Sequence, residues 1–372
     1  MKIGIITFWT TQDNYGQIAQ LYAMQVYLRK LGHDPYLIRY IDKFDKPLTY
    51  KERSKFNRLL GVILNPQKIF FYLKNKKNAK ITEDLNNTHN RFFDEFKENY
   101  IKKSEVLYNS FNDLKHNPPE ADVYICGSDM IWNEFVTNEA YLLNFGQKNI
   151  KKIAFAPSFA KSSVSNDFID KLKPFIKNFD YVGVREKSGI EICKKAGYAN
   201  AEWVPDPTML LTQDDYIKDL KLKDSNEKYI FVYLLGYELE LDIDDIYKFA
   251  NARNLKVRYV ASQFRVDSHE KIYPRVEDWF EEIKNAEYIF TNSFHCCVIS
   301  LIFNKNFLFI PLLGHTSENN ERIYSLFSDF SIDREYKGDI LKIDEEMNWE
   351  LINENFNKKQ ERINSLFSTI CT

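Results

Sequence analysis

The sequence predicts an α/β protein built from two doubly wound, Rossmann-like domains that face one another across a cleft. Short apolar β-forming runs alternate with amphipathic helical segments along most of the 372 residues, which is the pattern that βαβ units produce. The length suits two domains, since a domain has roughly 150 residues. The two prolines of 203–207 (WVPDP) suit a stiff crossing between the halves. We expect domains over 1–205 and 206–345, and a helix within 346–372 that packs back onto them.

Composition narrows the class of protein. The net charge of −2 argues against a protein that binds nucleic acid over its whole surface. No apolar run approaches the roughly 18 residues of a membrane span, and the opening MKIGIITF is a strand rather than a signal peptide. The five cysteines are scattered and odd in number, so neither a disulfide framework nor a zinc site is expected. These features indicate a cytoplasmic protein.

The first half contains five predicted strands joined by helices. Each strand is a short apolar run, and each helix repeats apolar residues at helical spacing. The predicted strands are 3–8, 36–40, 122–126, 152–155 and 181–184, and the predicted helices are 18–31, 87–100 and 190–196. Ligands of an open parallel sheet bind beyond the carboxyl ends of its strands, so the loops after these strands are candidate sites.

The loop after the first strand lacks the G-x-G-x-x-G fingerprint of dinucleotide sites. Asn14, Tyr15 and Gln17 could instead hydrogen-bond to a sugar and stack on it. The alternative is that Asn14 and Gly16 only form the turn and cap the helix.

A Gly-Ser turn follows the strand at 122–126 and leads to Asp129 and Trp132. The carboxylate could bind a pair of sugar hydroxyls while the indole stacks on the sugar's apolar face. Alternatively, Asp129 caps a helix and Trp132 belongs to the core.

Arg185 ends the strand at 181–184, where a helix begins, and Lys187 lies two residues on. A fixed guanidinium beside helix N-terminal amides suits a phosphate or carboxylate ligand. A salt bridge from Arg185 to Glu186 or between domains is the alternative.

A basic helical insertion is expected at about 42–105. Residues 42–80 contain eleven Lys or Arg and three acidic residues, interleaved with apolar clusters. Such a stretch could lie on an anionic membrane surface through 43–80, or it could form surface helices with solvated lysines.

The second half repeats the alternation, and we expect five or more strands in it. The predicted strands include 229–235, 257–261, 288–290 and 307–310, and the predicted helices are 243–252, 276–285, 320–330 and 353–368. Arg322 lies on one of these helices.

The turn at 291–295 (TNSFH) brings an amide, two hydroxyls and an imidazole to a strand end. His295 could act as an acid/base, because imidazole titrates near neutral pH, or it could be a satisfied histidine at the start of a helix. Asn292 and Ser293 could donate to an anion. Cys296 and Cys297 could form a Cys/His nucleophile with His295, although small buried residues of a helix are the simpler interpretation.

Six collinear motifs resemble the polysaccharide pyruvyl transferase family over essentially residues 2–336. They are NYGQIAQLYAMQVYLRKLG, DVYICGSDMIWN, KIAFAPSFA, VREKSG, VPDPTMLL and DWFEEIKNAEYIFTNSFH. The resemblance implies a GT-B-like arrangement and transfer of a pyruvyl group from phosphoenolpyruvate to a saccharide as a cyclic ketal. Two positions depart from the family pattern: Cys296 stands where Gly commonly follows SFH, and Ser293 where some branches have Arg.

On this resemblance, the C-terminal domain is the donor side and the N-terminal domain the acceptor side. His295 and Arg185 would be catalytic, and donor binding would involve Ser293, Asn292, Lys187 and Arg322. Acceptor binding would involve Asn14, Tyr15, Gln17, Asp129 and Trp132. We expect no cofactor beyond the phosphoenolpyruvate substrate and no metal, since the histidines and cysteines lack the spacing of a metal site. The expected partner is a saccharide acceptor that could be lipid-linked, and not nucleic acid.

Two alternatives remain open. One is a GT-B-type glycosyltransferase that uses a nucleotide-sugar, and the other is a non-catalytic saccharide-binding component of an assembly system. Ser293 and Cys296 favour the second.

Overall fold

The structure, a computed structural model, describes residues 1–41, 45–49, 66–236, 238–262 and 265–370. Its strands are β1 (Lys2–Ile6), β2 (Asp34–Tyr40), β3 (Lys103–Tyr108), β4 (Val123–Cys126), β5 (Lys151–Phe155), β6 (Tyr181–Val184), β7 (Glu202–Trp203), β8 (Tyr229–Tyr233), β9 (Lys256–Tyr259), β10 (Tyr288–Thr291) and β11 (Phe307–Phe309). Its α-helices are α1 (Tyr15–Lys30), α2 (Pro66–Thr88), α3 (Phe93–Tyr100), α4 (Phe111–His116), α5 (Asn166–Ile176), α6 (Ser188–Lys195), α7 (Gln213–Leu220), α8 (Ile243–Ala252), α9 (Val276–Asn285), α10 (Phe294–Ile302), α11 (Glu321–Phe330) and α12 (Trp349–Ile370).

These elements form two parallel α/β domains. The N-terminal sheet has the order β3-β2-β1-β4-β5-β6-β7, and the C-terminal sheet has the order β11-β10-β8-β9. The named strand pairs are parallel. All these strands therefore present their carboxyl ends at one edge of each sheet, which is where the polar loops follow.

The two domains share a buried core where they meet. One continuous apolar cluster includes residues of α1, α9 and α10, while two further clusters cover the remaining faces of the sheets. The halves are therefore in direct contact at this seam rather than separated by an open cleft along their whole length.

Helix α12 packs back onto the N-terminal domain. The ring of Phe367 lies 5.6 Å from that of Tyr27 and 5.3 Å from that of Phe155. Arg362 adds an ion pair to Glu202 at 2.8 Å.

Three expectations about the elements were wrong. The helix predicted over 87–100 is interrupted, because α2 ends at Thr88 and α3 begins at Phe93 after Phe92 adopts a left-handed conformation with φ of 55°. Strand β3, at the sheet edge, was missed because its exposed residues break the apolar pattern. The described part of the C-terminal sheet has four strands rather than five or more.

Residues 43–44 and 50–65 of the basic stretch 43–80 lie outside the described residues. Its association with a membrane surface therefore stays a prediction. Within the described part of the chain, no helix combines the length and the apolar character that crossing a membrane requires.

Candidate functional site

The turn between β10 and α10 is built to present His295. Both polar atoms of the Asn292 amide are paired with the backbone of Leu235, with Oδ1 accepting from the N–H at 2.7 Å and Nδ2 donating to the carbonyl at 2.9 Å. Ser293 is the N-cap of α10, and its Oγ accepts from the N–H of Cys296 at 3.4 Å. Asn292 and Ser293 thus hold the turn that places His295 in the first turn of α10.

The His295 imidazole lies between the two domains and is 6% exposed. Its Nε2 is 3.7 Å from Oδ2 of Asp206 and has no hydrogen-bond partner. On the other side the ring presses against Gly16 of α1, where an added Cβ would lie 2.1 Å from Nδ1. Only glycine permits this close approach, so the ring is confined between α1 and Asp206.

Asp206 is a fully buried carboxylate with several donors around it. Its Oδ1 accepts from the N–H of Thr208 at 3.0 Å and from its hydroxyl at 2.8 Å. Its Oδ2 accepts from Ser128 Oγ at 2.6 Å and from Arg185 Nη1 at 3.1 Å. Burial alone would raise the pKa of Asp206, but His295 and Arg185 outweigh it and hold the pKa well below its ordinary value. The carboxyl is therefore ionised at neutral pH.

Arg185 follows β6 and is almost completely buried. Burial opposes its charge, whereas Glu186 and Asp206 stabilise the cation and raise its pKa. The guanidinium lies 4.9 Å from the ring centre of Phe294, and its Nε and Nη2 have no hydrogen-bond partner. A buried donor without an acceptor lowers the stability of the fold by about 1–3 kcal/mol. A polar ligand that accepts from these groups would remove this cost and bind more tightly.

Arg322 of α11 brings a second guanidinium to the same place. Its Nε donates to the carbonyl of Asn319 at 3.2 Å. Burial and the neighbouring charge of Arg185 lower the pKa of Arg322 to about 10. A small pocket at the seam is lined by both arginines, Phe294, Asp206 and Trp203. Two cations at one pocket repel each other, and an anion between them relieves the repulsion.

The structure brings together His295, Arg185 and Arg322, as well as Asp129. Asp129 is 4% exposed, its Oδ1 accepts from the N–H of Met130 at 2.9 Å, and its charge acts on both arginines. We call the following six residues the charged cluster: Asp129, Arg185, Glu186, Asp206, His295 and Arg322. Lys187, by contrast, is exposed at the start of α6.

The first loop plays a mainly structural part in this arrangement. Asn14 Oδ1 caps α1 by accepting from the N–H of Gln17 at 3.2 Å, and both residues are half-buried. Tyr15 is fully buried, its hydroxyl donates to the carbonyl of Pro274 at 2.6 Å, and its ring stacks on Trp279 with 5.3 Å between centres. Tyr15 therefore joins the two domains and presents no free face to a sugar.

Trp132 is likewise a core residue. It is fully buried, its indole N–H donates to the carbonyl of Tyr141 at 3.2 Å, and its ring packs on Phe159 and Phe179. The expectation that Trp132 stacks on a sugar does not fit this position, whereas the alternative of a core tryptophan does. A tryptophan close to a strand end looks the same in the sequence whether it binds a sugar or belongs to the core.

Sequence reasoning missed Asp206 and the serines that hold the two carboxylates. Glu186 had been named as an alternative ion-pair partner of Arg185, and its Oε1 lies 3.6 Å from Nε of Arg185. Ser128 binds Asp206, and the hydroxyl of Ser158 donates to Oε1 of Glu186. Polar residues directly after β4, β5 and β6 were the available signal, because parallel strand ends meet at one edge. Asp206 lies between Pro205 and Pro207, and these prolines suggested only a linker between the domains.

The adjacent cysteines do not suit a nucleophilic role. Both are fully buried; burial raises the pKa of Cys296 to about 12 and that of Cys297 well above its ordinary value. A thiol with such a pKa supplies almost no thiolate at neutral pH, so the interpretation as small buried helix residues holds.

Within the described ranges, no three His, Cys, Asp or Glu side chains are grouped so that they could hold a metal ion. Independence from metal and cofactor stays a prediction about the reaction.

Residues 14–312 match the model of one protein family, described as polysaccharide pyruvyl transferase. The chain belongs to this family. The motifs that suggested it contribute His295, Arg185 and Asp206 to the charged cluster. Comparison with curated proteins finds no match.

Solved structures resemble the chain only distantly. A putative UDP-N-acetylglucosamine 2-epimerase from Listeria monocytogenes shares 9% identity over 99% of this chain and 96% of that one, with a TM-score of 0.49. The Methanocaldococcus jannaschii UDP-GlcNAc 2-epimerase complex shares 13% over 99% of each chain, also with 0.49. A spinosyn forosaminyltransferase shares 10% over 100% of each chain, with 0.40. Such matches support no inference about activity.

Proposed function

We propose that this protein transfers the pyruvyl group of phosphoenolpyruvate to two hydroxyls of a saccharide and forms a cyclic ketal in a surface polysaccharide, such as capsule or exopolysaccharide. Membership of the family supports this reaction class. The observation that carries the proposal is the pair of guanidiniums, Arg185 and Arg322, at one pocket beside the buried imidazole of His295. Phosphoenolpyruvate carries a phosphate and a carboxylate, and its charge suits two cations.

The reaction needs three proton transfers and two attacks on one carbon. His295 gives a proton to the CH₂ carbon of the donor, which leaves an oxocarbenium-like centre at the adjacent carbon. One sugar hydroxyl attacks this carbon and returns a proton to His295. The bond from the carbon to the phosphate oxygen then breaks, and the second hydroxyl attacks the same carbon. Its proton leaves with the phosphate, so donor and diol become the ketal and inorganic phosphate.

The arginines would hold the donor. Nε and Nη2 of Arg185 are buried without hydrogen-bond partners, and Arg322 provides the second cation. Some branches of the family have an Arg at the position of Ser293. In this chain, Arg322 would supply that charge instead. Asp129, Asn14 and Gln17 would orient the acceptor diol from the N-terminal domain. The acceptor could be lipid-linked, which would bring the enzyme to the cytoplasmic face of a membrane.

Phosphate release tests the proposal. The wild-type protein is incubated with phosphoenolpyruvate and a panel of galactose, glucose, mannose and N-acetylmannosamine glycosides, beside His295→Ala and Arg185→Ala. We expect release with one acceptor, ketal formation by mass spectrometry, and loss of both in each variant. Lys187→Ala is the matched control, because this exposed cation is outside the charged cluster and its loss should leave release unchanged.

Ligand binding separates this proposal from its alternatives. A ligand at 100 times its dissociation constant raises the free energy of unfolding by about 2.7 kcal/mol. Stabilisation by phosphoenolpyruvate but not by UDP-sugars is expected. Stabilisation by a UDP-sugar alone would favour a glycosyltransferase, and stabilisation by a glycan alone would favour a non-catalytic binding protein; either result would overturn the proposed donor.

A further inference from the structure

We propose that Asp206 is the positioning residue of His295: its carboxylate keeps the proton of the neutral imidazole on Nε2, so that Nδ1 is the nitrogen that gives and recovers the catalytic proton. The reaction step rests on the proposed function. The tautomer is a property of the protein alone, so it can be measured without any substrate.

The first argument is that Asp206 cannot turn away from His295. Two donors of Thr208, its backbone N–H and its hydroxyl, bind Oδ1. Ser128 and Arg185 bind Oδ2. With both oxygens held, Oδ2 remains directed at Nε2 across 3.7 Å. A nitrogen that faces an ionised carboxylate carries its proton there, because a lone pair in that position would be repelled.

The second argument concerns the opposite side of the ring. Nδ1 borders Gly16 in the first turn of α1, where a Cβ would come within 2.1 Å of it. Asn14 and Gln17, the residues proposed to orient the acceptor, lie in the same turn. Nε2 is buried without a hydrogen-bond partner. Nδ1 is thus on the side of α1, whereas Nε2 is on the side of the fixed carboxylate.

Substitution of Asp206 by Ala should remove this preference. No carboxylate then faces Nε2, so the proton of the neutral imidazole is shared between the two nitrogens. Asn does not suit the test, because Thr208 and Arg185 donate to different oxygens of this side chain and a single amide oxygen can serve only one of them. A general base whose reactive nitrogen already carries a proton cannot accept another.

Nitrogen-15 NMR of histidine-labelled full-length protein reads the tautomer directly. The signals of His295 are identified by their loss in His295→Gln, and a pH series selects the neutral imidazole. We expect protonated Nε2 in the wild type and a mixture of both tautomers in Asp206→Ala, together with a lower kcat for phosphate release. Glu186→Gln is the matched control: this carboxylate also flanks Arg185, at 3.6 Å, and its loss should leave the tautomer unchanged.

Three results would overturn the inference: protonated Nδ1 in the wild type, an unchanged tautomer in a folded Asp206→Ala protein, or a changed tautomer in Glu186→Gln. If Asp206→Ala does not fold, the wild-type spectrum still decides. A wild type with protonated Nε2 that releases no phosphate from phosphoenolpyruvate would refute the donor assignment while supporting the role of Asp206.

Discussion

Two of the contacts between the domains differ in character. One, which we call the aromatic contact, consists of Tyr15, Tyr233 and Trp279, whose rings lie 5.3–5.9 Å apart. The other is the charged cluster, which includes Arg185, Asp206 and His295. Burial of aromatic rings stabilises the folded state, whereas buried ion pairs offset much of their attraction by desolvation.

The difference indicates a division of labour at one seam. The aromatic contact holds the domains together, and its polar hydroxyl on Tyr15 is paired with a backbone carbonyl. The charged cluster retains buried groups without hydrogen-bond partners, among them Nε2 of His295 and Oε2 of Glu186. The aromatic contact also has one such group, Nε1 of Trp279. Unpaired buried groups are costly in a folded protein, and what distinguishes the charged cluster is that several of them lie at one place, where a ligand would complete them.

Loss of Trp279 should give the largest effect on stability. Trp279→Ala removes a fully buried ring from the aromatic contact and should lower the free energy of unfolding by about 3–5 kcal/mol. Denaturant unfolding measures it, and the half-buried Trp349 provides the control Trp349→Ala, with a smaller loss. A loss below about 1.5 kcal/mol for Trp279→Ala would show that the aromatic contact does not hold the seam.

Loss of Arg322 should separate stability from donor binding. The lowered pKa of Arg322 means that folding disfavours its charged form, so stability should rise with pH from about 10 towards the ordinary arginine value. Arg322→Gln should therefore unfold at the same or a higher temperature at neutral pH, while stabilisation by phosphoenolpyruvate disappears.

Differential scanning fluorimetry with and without donor measures both effects. Arg322→Lys, which keeps a charge but not the planar fork, should retain part of the binding. A clear drop in the melting temperature of Arg322→Gln, measured without donor, would contradict the repulsion assigned to this pair of arginines.

Loss of the Tyr15 hydroxyl should have a smaller effect. Tyr15→Phe keeps the stacked ring but leaves the carbonyl of Pro274 without its donor, which should cost about 0.5–1.5 kcal/mol of the free energy of unfolding. Because Tyr15 is placed in the aromatic contact, kcat should stay within about twofold of wild type. A large fall in kcat with normal stability would indicate that Tyr15 belongs to the acceptor site after all.

Thiol reagents should have the smallest effect. With the pKa of Cys296 raised to about 12 by burial, iodoacetamide at pH 8 should leave Cys296 and Cys297 unmodified in the native protein and modify both after unfolding. Peptide mass spectrometry measures the labelling. Rapid labelling of the native protein with loss of phosphate release would point to a thiol in the chemistry instead of His295.

Local patterns in the sequence predicted most of the strands and the position of His295 at a strand end, but not β3, β7 or the helices α4, α5 and α7. The network around Asp206 could not be predicted in this way, because its bond to Ser128 joins residues 78 positions apart. Tyr15 and Trp132 were assigned to sugar binding because a ring with a polar atom suits either a site or a core. Their burial, which depends on residues from distant segments, decided between the two.

Helix α12 has a consequence for the order of folding. Phe367 covers Phe155 of β5 and Tyr27 of α1, although more than two hundred residues of the C-terminal domain and its flanks separate it from β5 in the chain. During synthesis, the first domain therefore has an uncovered apolar face until the end of α12 has left the ribosome. The last layer of the N-terminal domain is thus added only after the other domain has been made.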